Sequence, residues 1–367
     1  MKHRTTEGGN DRSSAFFEQH KKSGLLIIGI LIVAVFIVWK SGLLAARLNS
    51  QESDTNTNTA VNEKQKFVRH IDGVSVDSAD VENMLPIAIM IENFVSVRPQ
   101  SGLQKAQVVY EALAEGGITR FMALFASGEH LKQLGPVRSS RTYYVDWAEE
   151  YYPLYVHVGG SQQALVKLNE SARVYNFDQM SNGQYFWRDT NIAAPHNVFI
   201  ASDQLNYALR DNQLQEKFGD FTPWNFIKES KKNDRPEEEK YITIPFSNSD
   251  YEVKYQYNKE QNVYLRWNGG EEHTDTLTGE QLQVKNVIVQ YVATRVIDQV
   301  KGLLDMDVRS QGQAVVFHDG KAISGTWKYN TDAQRTQFFN EQNEEILLIP
   351  GNIWVEVLPD DRTVEYN

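Results

Sequence analysis

Arginines supply the first chemical signal in this 367-residue chain. Arg138 and Arg141 stand one helical turn apart in "LGPVRSSRTYY", Arg98 lies in "RPQSG", Arg120 in "GGITRF" and Arg188 in "FWRD". All five sit beside Gly, Pro or aromatic residues, the company of turns. A guanidinium grips planar anions bidentately, and a helix start adds backbone N–H donors. Gly135-Pro136 reads as such a start, with Gly135 at the cap and Pro136 in the first turn. Two cations would then stand where the helix dipole is already positive. A negative partner is required: a bound phosphate or carboxylate, or the chain's own Glu92, Glu111 and Glu115.

Other residues extend the candidate site. In "HVGGSQQ", Gly159 and Gly160 followed by Ser161 as helix cap can form a nest of N–H groups for an anion. The pattern is neither a phosphate-binding P-loop nor a nucleophile elbow, so Ser161 with His196 and Asp178 makes a poor triad. His196 and Asn197 in "APHNVF" can orient a ligand group. His157 has no histidine at metal-ligand spacing, and neither metal nor cofactor is expected. Tyr143, Tyr144, Trp147 and Tyr151 recur at helical spacing, which reads as a face turned to the core.

Strands alternating with helices must position these residues. "PIAIMIEN" (Pro86–Asn93), Ile118–Ala126 and Leu154–Val158 read as strands. "AQVVYEAL" reads as a strand or a short helix. Helices are expected from Pro136 to about Tyr152, from Gln162, and over "SDQLNYALRDN" with Ser202 as cap. The fold class for residues 67–227 is therefore α/β with a mixed or partly parallel sheet, whose turns bring the arginines to one sheet end. A charged connector, residues 228–240, separates it from residues 241–367. There short alternating runs and an Asp319-Gly320 hairpin signal predict a mainly antiparallel β domain.

Composition bounds the rest. A net charge of −11 argues against nucleic acid, and the absence of cysteine excludes disulfides, thiolate catalysis and lipid attachment through an N-terminal Cys. After a polar, basic stretch (residues 1–23), Gly24–Trp39 is uninterrupted apolar sequence, and residues 24–46 together read as one transmembrane helix. No small-residue cleavage site follows cleanly, so the reading is an uncleaved anchor. The denser positive charge before the span predicts a cytoplasmic N-terminus and extracellular C-terminal domains. Residues 47–66 read as a flexible tether.

"RPQSGLQKAQVVYEALAEGGITRFMALF", "LGPVRSSRTYY", "YVHVGGS" and "APHNVF" resemble the motif series of the YerB-like family, envelope proteins of Gram-positive bacteria filed under a domain of unknown function. "GTW" at Gly325–Trp327 and "LLIPGNIWVEVLP" resemble that family's C-terminal β domain. The resemblance implies a two-part extracytoplasmic protein and carries no activity with it. Many relatives look like lipoproteins; here an apolar helix takes the place of the lipid. The functional expectation is a membrane-anchored accessory protein binding an anionic envelope ligand: a lipid-linked precursor, a teichoic-type polymer or a peptidoglycan fragment. Arg138 and Arg141 would hold the anion, the Gly159–Ser161 turn would donate N–H groups, and Arg98, Arg120, Arg188, His196 and Asn197 would complete the site. Two alternatives stand beside it. One is a transferase or hydrolase acting on a phosphate-linked glycopolymer, similar in layout alone to LytR–CpsA–Psr proteins. The other is a scaffold for cell-wall synthesis proteins.

Overall fold

The computed structural model describes residues 66–367. The expected basic tail, apolar anchor and tether lie outside them, except Lys66. Among the described residues no helix is long and apolar enough to cross a membrane. Residues Lys64–Asn367 form one compact unit.

Before the charged connector lie strands β1 (Ile87–Glu92), β2 (Val108–Leu113), β3 (Thr119–Phe125), β4 (Leu154–His157) and β5 (Tyr175–Asp178). Between and after them run helices α1 (Thr142–Glu149), α2 (Gln162–Glu170) and α3 (Ser202–Asp211). After the connector come β6 (Tyr241–Pro245), β7 (Glu252–Asn258), β8 (Val263–Asn268), β9 (Asn286–Val292), β10 (Gln311–His318), β11 (Lys321–Asn330), β12 (Arg335–Asn340) and β13 (Ile353–Pro359). Ten strands make one sheet in the order β12-β11-β10-β9-β13-β2-β3-β1-β4-β5. The pairs β1–β4, β4–β5, β9–β13 and β13–β2 are parallel and the other neighbours antiparallel. The sheet is mixed, as the first part of the sequence predicts, and it runs on without interruption into strands from beyond the connector. A smaller antiparallel sheet of β6, β7 and β8 carries short pieces at both edges. Asp319 and Gly320, both with positive φ (52° and 72°), turn β10 into β11 as the sequence signals.

The core explains these choices. Strands β2 and β3 are buried along their whole length, so they read as largely apolar runs, interrupted by Glu111 in β2 and by Thr119 and Arg120 at the start of β3. Tyr143, Tyr144, Trp147 and Tyr151 are all at most 1% exposed and pack against Tyr110 and one another. They form the core face that their spacing predicts.

One expected helix is misplaced. Residues 134–140 are extended, and α1 begins only at Thr142, with Arg141 in the cap position. Their backbone is already committed to neighbours on both sides. Arg138 N–H donates to the Met90 carbonyl and Val137 N–H to that of Val198, while the Arg138 carbonyl accepts from Val158 N–H. A helix from Pro136 would break all three bonds. Ser202 likewise does not cap α3: Ala201 holds that position, and the Ser202 hydroxyl accepts from Leu131 N–H instead. Ser161 does cap α2, accepting from Ala164 N–H at 3.2 Å.

The two parts of the chain meet around Arg266 on β8, which is wholly buried. Its Nη2 pairs with Glu111 of β2, and its Nε donates to Tyr255 Oη at 3.0 Å. Glu356 of β13 lies directly beside Glu111 in the sheet register and accepts from Tyr255 Oη. Burial first, and then the adjacent Glu111, push the Glu356 carboxyl well above its ordinary range. Trp354, Tyr255 and Phe121 present ring faces to the Arg266 guanidinium, the nearest 4.5 Å away. Arg266→Ala leaves Glu111 buried without its cation and is expected to cost about 3–5 kcal/mol in urea unfolding. A loss below about 1 kcal/mol, the scale of a surface pair, would remove Arg266 from this structural role.

Candidate functional site

Glu92, His157 and Asp178 end the parallel strands β1, β4 and β5, and Arg120, the second residue of the antiparallel β3, lies directly opposite Glu92. The candidate residues thus gather at the carboxyl ends of the parallel strands, the usual ligand position in such sheets. Segment 136–141 runs through this end. On one side it bonds to β1; on the other it meets the Gly159–Ser161 turn, where Ser140 N–H donates to the Gly159 carbonyl and Ser161 N–H to that of Ser140.

Two carboxylates organise the cations. Glu92, 2% exposed, opposes Arg138 Nε as an ion pair without hydrogen-bond alignment, and the same oxygen meets His196 Nδ1 at 2.9 Å. Phe94 stacks on the His196 ring with centroids 4.8 Å apart. Glu115 takes Arg141 bidentately, through Nε and, at 2.6 Å, through Nη2. Arg120 is served less well. Its Nη1 donates to the Ser139 carbonyl at 2.8 Å, its Nη2 stands 3.9 Å from Glu115, and its Nε is buried without a hydrogen-bond partner. Burial, and then the charge of Arg141, push the Arg120 guanidinium down from its ordinary value. Three guanidiniums thus share two carboxylates.

The remaining candidates divide. Arg188 Nη1 donates to Asn197 Oδ1 at 2.8 Å, and Asn197 directly follows His196, so this pair lies beside the Glu92 group. The turn itself is largely committed: Gly159 N–H donates to Asp178 at 2.8 Å and Ser161 N–H to Ser140. In the first turn of α2, Ala164 N–H is already taken by Ser161 Oγ, which leaves the N–H groups of Gln162 and Gln163 for a ligand. Ser161, His196 and Asp178 have separate partners and form no relay. Arg98 is not part of this group. It donates to Asn93 Oδ1 (2.9 Å), the Asn93 carbonyl (3.2 Å) and the Asp250 carbonyl (2.8 Å), and lies over the Tyr251 ring.

Sequence reasoning missed Asn93 and Gln100. Asn93 Oδ1 accepts from Arg98, Gln100 and Asn268, and its amide donates to Glu111 and Thr119. Gln100 donates to the Glu92 carbonyl and accepts from His273 Nε2 at 2.8 Å. His273 Nδ1 in turn faces Arg266. Burial, then the charges of Arg266 and Arg98, push His273 well below its ordinary pKa of 6.5, while the Gln100 acceptor at Nε2 and the Arg266 donor at Nδ1 fix the tautomer. The usable signal was a lone charge in an apolar strand: Arg266 in "VYLRW" and Glu356 in "NIWVEVLP".

Residues 72–215 match the family described as "Protein of unknown function (DUF3048)", N-terminal domain, and residues 242–355 match its C-terminal domain. The Bacillus subtilis (strain 168) protein named "Putative lipoprotein YerB" is 30% identical over 316 residues, covering 85% of this chain and 91% of that protein. This chain belongs to the YerB-like family. The crystal structure of YerB from Bacillus subtilis superposes with a TM-score of 0.72 at 29% identity, covering 82% of this chain and all of that one. The architecture described above is therefore that of the YerB-like family, and the two matched segments end and begin on either side of the charged connector.

Burial opposes ionisation of Glu115, but the hydrogen bonds and charge of Arg141, helped by Arg120, outweigh it and hold the carboxyl below its ordinary value of 4.5. A depressed folded-state pKa means stability present above that value and lost as pH falls through the folded pKa. Glu115→Gln is expected to lower neutral-pH stability by about 1 kcal/mol and to flatten the acid limb of the stability–pH curve below pH 4.5. Parallel acid limbs for the two proteins would show that the pair contributes nothing.

Proposed function

We propose that this YerB-like chain is a membrane-anchored envelope protein whose folded part lies outside the cell and binds a ligand carrying phosphate or carboxylate. The observation that carries the reading is the charge imbalance at the sheet end. Arg120, Arg138 and Arg141 share Glu92 and Glu115, and Arg120 keeps a buried, unpartnered Nε. An incoming anion supplies the missing charge, with Arg188, His196 and Asn197 beside it. The anchoring part rests on the apolar run Gly24–Trp39 and on kinship with a protein named as a lipoprotein. This chain has no cysteine to acylate, so the apolar run takes over attachment.

The scaffold reading also has a specific support, since Glu92 and Glu115 already engage the arginines. Titrating residues 64–367, which hold one compact unit, with phosphate, pyrophosphate and acetate separates the two. Anion binding is expected to raise the melting temperature saturably. Arg138→Ala is expected to weaken binding by about 1.5–3 kcal/mol, as for a charge-assisted contact, with thermal unfolding recorded alongside because the change also takes a cation from the buried Glu92. No response to any anion, with a variant that melts lower, would make the arginines structural and favour the scaffold.

A further inference from the structure

His196 is held in the manner of a general base. Its Nδ1 lies 2.9 Å from Oε2 of the buried Glu92. A carboxylate oxygen accepts, so the ring proton sits on Nδ1 and the lone pair on Nε2. Nε2 has no partner among the described residues and is not closed off from solvent. The ring is kept in one plane by Phe94, which stacks on it at 12° with centroids 4.8 Å apart. The backbone is fixed as well. His196 N–H donates to the Ala193 carbonyl, and two residues on, the Val198 carbonyl accepts from Val137 N–H. That last bond ties the histidine loop to the segment carrying Arg138.

Arg138 stands beside this imidazole, because its Nε faces the same Glu92 oxygen. Nη1 and Nη2 of Arg138 have no partner among the described residues, and the side chain is 22% exposed. Arg188 contributes further donors: Nη1 is taken by Asn197, while Nε and Nη2 have no partner among the described residues. An open lone pair and free guanidinium donors therefore face solvent next to one another. The donors select the substrate. A phosphodiester carries one negative charge over two free oxygens, which guanidinium N–H groups match. Those oxygens gain charge in the transition state, where fixed cations act most strongly.

Resting on the anion reading of the arginine group, we propose that this site hydrolyses phosphodiesters, with His196 as general base, Glu92 as its positioning residue and Arg138 as the clamp on the phosphate. Water gives a proton to His196 Nε2 as its oxygen bonds to phosphorus. The bond from phosphorus to one ester oxygen breaks, and its electron pair leaves on that oxygen. The proton then passes from Nε2 to the leaving oxygen. One phosphate monoester and one alcohol result.

The full chain in detergent micelles is incubated with bis(p-nitrophenyl) phosphate, with a poly(glycerol phosphate) chain and with phosphatidylglycerol. The first reads the chemistry alone; the other two separate a polymer from a lipid source of the same linkage. Release of p-nitrophenol or of new monoester ends above the rate in buffer is expected. His196→Ala is expected to lose turnover by about a hundredfold or more, the scale of a general base. Added imidazole is expected to restore about tenfold of that loss, which a packing role for His196 would not allow. His196→Asn can keep an N–H toward Glu92 but is no base; it is expected to melt like the unaltered protein and to be equally inactive. Glu92→Gln is expected to lower kcat by more than it raises KM. Stabilisation by inorganic phosphate is recorded on every variant, which keeps the two readings apart. Phosphate binding without turnover of any of the three substrates would overturn the hydrolase and leave the anion reading in place; absence of both would remove both. Full turnover in either His196 variant, or no rescue by imidazole in a folded His196→Ala protein, would also overturn it.

Discussion

The ion pair between Arg266 and Glu111 is the contact on which the rest of the structure depends. Placing a guanidinium wholly inside the protein is costly unless it is paired and its N–H groups are satisfied. Here the requirement draws in both parts of the chain. Glu111 comes from β2, Glu356 from β13, Tyr255 from β7 and His273 from the turn after β8. His273 then fixes Gln100, and Gln100 bonds the backbone of Glu92. Glu92 positions Arg138 and His196. The candidate anion site therefore stands at the end of a continuous series of contacts that begins in the buried pair.

The protein treats its arginines in two ways. Arg266 and Arg335 are buried against aromatic faces; Arg335 lies 4.3 Å from the Tyr151 ring and 3.9 Å from that of Trp224. Ring faces stabilise a cation without adding a counter-charge that a ligand would have to displace. Arg266 also has the buried Glu111 carboxylate, whereas Arg138 and Arg141 meet their carboxylates at positions that keep partial access to solvent. A guanidinium of the first kind is locked into the core. The second kind can exchange part of its pairing for an incoming anion, and Arg120 between them has pairing left to offer.

Much of the fold was legible in the sequence because the core strands are mainly apolar, with single charges such as Glu111 and Glu356 inside them, and the hairpin and helix-cap residues act locally. Ser161 and Asp319-Gly320 do what their types and neighbours predict. Segment 134–141 misled for a physical reason. Gly-Pro at its start obeys the local rule for a helix, but strand partners far away in sequence take its backbone bonds. The convergence of Arg120, Arg138, Arg141, His196 and Asn197 at one sheet end followed from the α/β pattern. Arg98 did not join them, because the tertiary contact with Asn93 and Asp250 has no local signature. The same holds for Asn93, Gln100 and Asn268, whose amides matter only once the two parts of the chain are docked.

Strand β13 sits in the middle of the ten-stranded sheet, parallel to β9 on one side and to β2 on the other. It is also nearly the last strand to be made. One edge of β2 stays bare until residues 353–359 arrive to cover it. The first part of the chain can collapse early, but its sheet is not finished until the closing residues are present. A product cut before residue 353 therefore exposes an unpaired edge of β2 rather than forming a finished smaller protein.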